Sequence, residues 1–572
     1  MKRVYAIGID FGTSNSCICV ACYLRRADGS LSPIPIKRPE AVPIQYRDTV
    51  PTVVFLGSAS EPPVFGEVAE EKALFYPELT QSNFKMRLGA PGADGEDAFH
   101  YTCRFLRYLR SQVADSVPFF DSSSEVEIVT CIGHPVQWTP DQRDLTRQAA
   151  IEAGFPNVTI DDESSSAIYY HLCEESLSLE PDESARALVI DMGGGTTDFA
   201  FVELSGEPGV APVTTPVDPS RLVPPWGADR HTYGGRDMDD LLLRHIATPW
   251  GYTPHSREWS FLLREARRFK EMFSLAMLVG KDSYRAQWVL DGAPHEVRLQ
   301  RDEFESVAQG YIEHMPRLTQ GALALAGLRP EDVDAVILTG GHSRWYWVEA
   351  AVQTIFPGIS AASHSLLRQR HPDQSVARGL AYKWMIEAVG GRPKPRRRAT
   401  HAIWIASPES SAHTYTTPPV NLGPSANPVA GTPSDPLLIM DRGQFLPYRT
   451  PGPARLSIQK IDFNSGHATL RLKIYSGSSD TARTELADRI ATFDRSLWES
   501  FIKRITSHLP WSTAYDTDDF DVEVLCSVDE NEMFTGQVRV TRFLRGRPAQ
   551  QQTYMLKMEP SVNGQASPQM VA

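Results

Sequence analysis

Up to about residue 388 the chain alternates short β-branched apolar runs with stretches of helical period, the pattern of an α/β domain. Runs that predict strands lie at 4–9, 16–21, 126–131, 187–191, 199–204 and 335–338. Apolar residues recurring every three or four positions predict helices over 141–153, 259–278 and 304–328. Pro316 should kink or divide the last of these, since it has no N–H to donate. Residues 206–227 are rich in proline and read as a surface loop. At Gly391-Arg392-Pro393-Lys394-Pro395-Arg396-Arg397-Arg398 proline alternates with basic residues, which predicts an extended, solvated linker over 389–400. Beyond it the period changes to two at 402–405, 470–474, 520–526 and 537–541, predicting an antiparallel β-domain over 401–558. A helical insertion near 496–507, a proline-rich loop at 418–436 and a disordered tail over 559–572 complete the expected layout.

Composition narrows the function classes. With 572 residues, 41% hydrophobic and 22% charged, the chain reads as globular and multidomain. Lys plus Arg number 57 against 70 for Asp plus Glu, a net charge of −13 that disfavours a general nucleic-acid or anionic-membrane surface. The seven cysteines are an odd number, scattered, which argues for a reducing compartment and against a disulfide framework. Cys19 and Cys22 have CxxC spacing, but they sit in an apolar strand run where Cys17 and Cys19 share a face and Cys22 points away. No apolar stretch approaches the roughly 18 residues of a membrane span, so the expected location is the cytoplasm.

Two segments share one design: an apolar strand ends in Asp, a turn of glycine and hydroxyl residues follows, and a second apolar strand leaves. They are Ile9-Asp10-Phe11-Gly12-Thr13-Ser14-Asn15 and Ile190-Asp191-Met192-Gly193-Gly194-Gly195-Thr196-Thr197-Asp198. Glycines let backbone N–H groups approach a ligand closely, and Thr or Ser adds donors, so each turn can cradle an anion. A phosphate chain is the natural anion. Asp10, Asp191 and Asp198 make sense beside it only with Mg²⁺ and its waters between carboxylate and phosphate. Either turn alone also fits a tight hairpin between buried strands; two matching turns from two half-domains can close on one phosphate tail. A third turn, Thr339-Gly340-Gly341-His342-Ser343-Arg344, follows another buried strand and suits the nucleoside end.

These elements, in this order, resemble the actin-like ATPase superfamily and specifically the DnaK-type 70-kDa heat-shock chaperones. The resemblance covers residues 4 to about 388 and implies a two-lobed α/β ATPase built of duplicated halves. The first two turns look like the family's phosphate hairpins, through Gly12, Thr13, Ser14, Gly193, Gly194, Gly195, Thr196 and Thr197, and the third like its adenosine motif, through Gly340, Gly341, His342 and Arg344. Asn83-Phe84-Lys85-Met86-Arg87 resembles the segment with the catalytic lysine, placing that role on Lys85, and Asp161-Asp162-Glu163-Ser164 places the catalytic-site glutamate at Glu163. Ile132-Gly133-His134-Pro135 followed by Asp141-Gln142-Arg143 is similar to the family's strand, hinge proline and helix. Tyr233-Gly234-Gly235-Arg236-Asp237-Met238-Asp239 is similar to the glycine turn behind the phosphates, and His371-Pro372-Asp373-Gln374-Ser375 to the helix closing the adenosine site. His371-Pro372-Asp373 also spells the tripeptide of J-domain cochaperones, here read as coincidence. Past the linker, Leu437-Leu438-Ile439-Met440 and the later period-two runs resemble the family's β-sandwich peptide-binding domain, without the long helical lid.

The departures are specific. Lys270 and Ser274 fit the adenine-contacting helix, but Arg267 stands where the family has Glu and Glu271 where it has Arg. His342 replaces a small residue, and the basic linker replaces a short acidic, leucine-rich one. Trp345 and Trp347 beside the third turn read as core for at least one of the two.

The implied chemistry is slow ATP hydrolysis to ADP and phosphate. Asp10 and Asp191 would orient the metal's waters; Lys85, with Glu163 and Thr196, would position the attacking water, and Asp198 would accept its proton. Implied partners are unfolded or extended polypeptide, with cochaperones or an exchange factor and a part in the stress response. The alternatives are a nucleotide-binding scaffold or regulator with little turnover and one dedicated protein partner, and a small-molecule kinase of the same superfamily.

Overall fold

The computed structural model describes residues 2–57, 62–117, 126–217, 233–254, 258–360 and 365–389 with a few short gaps, then 393–399 and the strands between 402 and 557. It divides into two compact units, Met1–Arg396 and Arg397–Ala572. The division falls inside the expected linker.

The first unit contains two sheets of one design. In the first, Lys2–Asp10 and Asn15–Arg25 form an antiparallel hairpin, Lys37–Ala41 flanks the second strand, and Val126–His134 and Val158–Asp162 add in parallel. In the second, Ser184–Met192 and Thr197–Ser205 form the hairpin, Val213–Val217 flanks it, and Ala335–Thr339 and Leu366–Arg368 add in parallel. Val4, Ala6, Ile7 and Ile9, like Leu188, Val189 and Ile190, are buried whichever way they point. A strand covered on both faces needs an unbroken apolar run, which is what the sequence provides.

Two helices lie against these sheets. Glu163–Cys173 packs Ala167, Ile168 and Leu172 on the second sheet, against Val189, Val202 and Ile337. Ser375–Tyr382 packs Ala381 beside Val4 and Ala6 of the first sheet, and Val376 and Leu380 beside Cys131. The helices cross so closely that a β-carbon on Gly379 would stand 1.7 Å from the Ser166 carbonyl oxygen. A β-carbon on Gly8 would stand 2.0 Å from the Ala377 carbonyl oxygen.

Helix boundaries follow the apolar period: Pro140–Glu152, Trp259–Leu278 and Arg301–Ala326. The last runs continuously through Pro316, so the proline does not divide it. Burial of Tyr311, Met315, Leu318 and Thr319 on both sides of the proline offsets the roughly 3 kcal/mol that a lost bond and ring clash cost. The proline-rich segment also departs from expectation, since Val213–Val217 is a strand paired with Phe199–Glu203, and prolines 212 and 216 obscured its β-branched residues. Residues 218–232 lie outside the described residues. Trp345 and Trp347 are both buried, and all seven cysteines are buried and outside any disulfide. No helix among the described residues is long and apolar enough to cross a membrane.

Among its described residues the second unit forms two antiparallel sheets. One orders Leu437–Met440, Ala402–Ala406, His467–Gly477 and Arg483–Asp494. The other orders His413–Thr416, Ala454–Asp462, Thr517–Val528, Phe534–Leu544 and Arg547–Lys557. Val522, Val524, Val538 and Val540 are buried at alternate positions, as period two requires. The basic segment is not wholly solvated. Arg396–Arg398 is a short strand, Arg397 is buried, and Arg398 lies with its guanidinium 4.3 Å from the Phe445 ring centre. The expected helix near 496–507, the loop at 418–436 and the tail over 559–572 lie outside the described residues.

Candidate functional site

Each hairpin delivers an aspartate to the end of a buried strand. Asp10 pairs in register with Cys17, and Asp191 with Asp198. The first turn is pinned by Thr52, whose hydroxyl donates to the Gly12 carbonyl at 2.9 Å and whose N–H donates to the Ser14 carbonyl at 2.8 Å. The second closes through the Gly193 N–H, which donates to the Thr196 carbonyl at 2.9 Å.

The two turns face each other. A β-carbon on Gly194 would stand 2.5 Å from Ser14 Oγ, and one on Gly195 would stand 3.0 Å from Thr13 Oγ1. Only glycine permits that approach. Behind the second turn, the Gly235 and Arg236 N–H groups donate to the Gly193 and Gly194 carbonyls at 3.0 and 2.9 Å, and the Thr197 hydroxyl donates to the Tyr233 carbonyl at 2.7 Å.

A lysine and three carboxylates, Asp10, Glu163 and Asp191, line the floor, and a fourth, Asp198, lies just behind it. Lys85, on the short helix Phe84–Arg87 entered through a left-handed Asn83, places Nζ 2.7 Å from Glu163 Oε1. Trp138 and Phe11 present ring centres 5.4 and 5.7 Å from that Nζ. Glu163 opens its helix, and Asp162 caps it by accepting the Ser165 N–H at 2.8 Å. Lys85 is the cation that lowers these carboxyls among the described residues. Burial, then the Glu163 charge, pushes the Asp10 and Asp198 carboxyls up to about 7, and the same two causes raise Asp191 well above the usual range. Asp198 also accepts the Thr196 hydroxyl at 3.0 Å.

The third turn rests on the second hairpin. Thr339 lies in register with Asp191, and Gly340, at φ 77°, could not carry a β-carbon, which would fall 2.5 Å from Asp191 Oδ1. Beside it Lys270 Nζ is 2.6 Å from Asp239 Oδ1 and donates to the Gly235 carbonyl at 2.9 Å. Arg267 reaches Asp239 at 3.4 Å and Glu70 at 3.5 Å. Ser274 Oγ accepts the Tyr346 N–H at 3.1 Å, and Arg344 is 3.8 Å from Asp373.

His342 is buried, and desolvation followed by the Lys270 charge holds its ring neutral. The Tyr311 hydroxyl is 2.8 Å from both the Gly234 carbonyl and His342 Nε2. A carbonyl cannot donate, so the tyrosine proton goes to Gly234 and Nε2 carries the proton of the second bond.

All of this bounds one cleft of about 610 Å³. Lining it are Asp10, Gly12, Thr13, Ser14, Lys85, Glu163, Asp191, Gly193, Gly194, Gly195, Thr196, Gly235, Lys270, Ser274, Gly340, Gly341, His342, Arg344 and Asp373. Of the residues singled out from sequence, Thr197, Asp198 and Gly234 stand behind the wall, bonding its parts. Sequence reasoning missed Glu70, Tyr311 and Trp138, and gave no role of its own to Asp239, which ends the glycine-turn segment. Asp239 lay within reach as a carboxylate just after the glycine turn; the other three carry no local signal.

The site fits a metal–nucleotide. Opposed glycine turns leave room for a phosphate chain, Ser14 Oγ is buried with no hydrogen-bond partner among the described residues, and carboxyls raised toward neutrality await a cation.

A sequence model of the Hsp70 protein matches residues 105–390, half of the chain. The chain belongs to the Hsp70 family. Its N-terminal unit, with two sheets of one topology, is the actin-like ATPase fold that goes with the family. Similar proteins include the chaperone protein DnaK of Thermosipho africanus, 26% identical over 402 residues that cover 68% of this chain and 60% of that protein. The chaperone protein DnaK of Thermotoga petrophila is 26% identical over 405 residues with the same coverage, and that of Thermosipho melanesiensis 25% over 398. This Hsp70-family chain thus spans about 60% of the length of the curated relatives it matches.

Proposed function

We propose that this chain binds Mg²⁺ and ATP in the cleft of its first unit and slowly hydrolyses the nucleotide, and that this controls the hold of its β-unit on polypeptide. The observation that carries the reading is the meeting of two glycine turns over a buried Lys85–Glu163 pair at 2.7 Å. That is a phosphate site with its own charge-neutralising group.

In this reading the backbones of Gly12 to Ser14 and Gly193 to Thr197 hold phosphate oxygens, and Asp10 and Asp191 hold the metal through water. Bound Mg²⁺ supplies charge neutralisation for the phosphates. Lys85, fixed by Glu163, orients the attacking water, and Asp198, whose carboxyl titrates near neutrality, takes up its proton. Phosphoryl transfer depends mainly on positioning and electrostatics, so no covalent nucleophile is needed. Gly340, Gly341, His342, Arg344, Asp373, Lys270 and Ser274 hold the nucleoside. Arg267 is turned instead to Asp239 and Glu70, so the family's glutamate contact has no direct substitute here.

The test is nucleotide binding and phosphate release by the full-length chain with Mg²⁺, beside Asp10→Asn, with and without an unfolded polypeptide. Slow release that needs Asp10 and responds to polypeptide is the expected result. Tight binding without turnover would favour the scaffold or regulator with a dedicated partner, and a phosphorylated small molecule in place of free phosphate would favour a kinase.

A further inference from the structure

His342 brings to the cleft a polar atom that the protein itself does not use. The residue lines the cleft and is only 5% exposed. Its ring is set by three aromatic neighbours, Tyr311, Trp345 and Trp347, whose centroids lie 5.8, 5.5 and 6.4 Å away at steep angles. Nε2 meets the Tyr311 hydroxyl at 2.8 Å, whereas Nδ1 is withdrawn from water and has no hydrogen-bond partner among the described residues.

The tyrosine decides which nitrogen carries the proton. Tyr311 Oη also stands 2.8 Å from the Gly234 carbonyl, which can only accept, so the phenol proton lies there and Nε2–H donates to Oη. Burial, then the Lys270 charge, keeps the ring neutral, and a neutral imidazole has one proton to place. Nδ1 is therefore a bare acceptor. Lys270 favours the same arrangement. A β-carbon on Gly235 would stand 3.2 Å from Lys270 Nζ and 3.4 Å from His342 Nδ1, so both atoms border one space beside that glycine. A lone pair suits a neighbouring ammonium better than an N–H does. Holding a buried acceptor unpaired is unfavourable, and a ligand that donates to it removes that cost.

We infer that Tyr311 is a positioning residue that holds His342 in the tautomer with Nδ1 unprotonated, and that Nδ1 accepts a hydrogen bond from a donor on the nucleoside, a sugar hydroxyl or a base amino group. Tyr311 acts through His342, since it stands outside the lining of the cleft. This contact presupposes the proposed binding of ATP there and names what recognises its nucleoside end.

The experiment measures equilibrium binding to the full chain, with Mg²⁺, of ATP, of its two deoxyribose analogues that each lack one sugar hydroxyl, and of inosine triphosphate, which lacks the base amino group. One of the three analogues should bind roughly tenfold or more weakly than ATP, as expected when a buried acceptor loses its donor. A deoxy analogue would name a sugar hydroxyl as the donor, and inosine triphosphate would name the amino group. In Tyr311→Phe the ring loses the acceptor for Nε2–H, and in His342→Phe the acceptor itself is gone. Both variants should bind that analogue within about twofold of ATP, whereas a merely structural role would weaken all four nucleotides alike. Nitrogen NMR of the histidine-labelled chain, with the His342 signal identified by its loss in His342→Phe, should show a proton on Nε2 and none on Nδ1. That reading keeps the test open if Tyr311→Phe melts early. Equal binding of all four nucleotides by the unaltered chain, a proton on Nδ1, or a preference that survives in a folded Tyr311→Phe overturns the assignment alone. Binding of no nucleotide overturns the proposed ATP site with it.

Discussion

Lys85 Nζ stands 2.7 Å from Glu163 Oε1, and both side chains are withdrawn from solvent. The pair joins the helix Phe84–Arg87 to the start of Glu163–Cys173, two segments far apart in sequence. Burying such a pair is expensive in solvation and is a weak route to stability by itself. Its placement on the floor of the cleft, with Asp10, Asp191 and Asp198 around it, gives the cost a purpose: the ammonium is a fixed positive charge that opposes the raising of these buried carboxyls.

Lys85→Ala should therefore leave nucleotide binding nearly intact, since the glycine turns remain, while lowering turnover by roughly 10²- to 10³-fold, the range for losing one preorganised electrostatic group. Single-turnover phosphate release beside equilibrium nucleotide binding measures both. Unchanged turnover would remove Lys85 from the mechanism.

The raised carboxyls set a pH dependence. Asp10 and Asp198 titrate near 7 when folded and near 3.8 when unfolded, because burial and then Glu163 oppose their ionisation. Between roughly pH 4 and 7 the folded chain holds more protons, so stability of the ligand-free protein falls as pH rises through that window and levels off above it. Asp10→Asn and Asp198→Asn should each flatten the fall, read from melting temperatures at several pH values. Bound Mg²⁺ needs ionised carboxylates, so binding of Mg²⁺ and nucleotide near pH 7 should release protons, read by calorimetry in buffers of different ionisation enthalpy.

Close approach of backbones makes a sharper structural test. Gly379 lies where a β-carbon would strike the Ser166 carbonyl, whereas nothing lies within 4 Å of a β-carbon on Gly341. Gly379→Ala should cost about 1–3 kcal/mol, the usual range for overpacking, and Gly341→Ala should leave folding within about 0.5 kcal/mol. Denaturant melts of the two variants check the difference.

What could be read from sequence was what is local. Asp10, Gly12, Asp191 and Gly193–Gly195 sit in strand–turn–strand patterns whose period and glycines announce the turns. Lys85 and Glu163 were found only through family resemblance, because nothing within either segment says that they meet. Glu70, Asp239 and Tyr311 reach the site by tertiary packing, and the proton arrangement at His342 depends on a tyrosine about three decades of residues away along another element. Proline misled around the strand Val213–Val217, and Pro316 sits inside a helix that it does not divide.

The charge exchange on the helix Trp259–Leu278 has a consequence of its own. Arg267 faces Glu70 at 3.5 Å, and Glu70 belongs to the helix Gly66–Lys72 on the side of the first sheet, whereas the helix that carries Arg267 packs Leu262, Ala266 and Phe269 into the core beside the second. Their side chains are about one-fifth to one-quarter exposed, so the pair bridges the mouth of the cleft in partly screened surroundings. An ion pair of that kind is worth up to about 1 kcal/mol. Arg267→Ala should therefore speed nucleotide release about two- to fivefold at low salt and much less at high salt, where screening already weakens the pair. Glu70→Ala should act alike, and the double variant should release no faster than either single one, because Arg267 and Glu70 act through the same contact. Stopped-flow release of a fluorescent nucleotide from the four proteins decides it: additive effects, or rates indifferent to salt, would show that Arg267 acts through Asp239 and Lys270 inside the cleft instead.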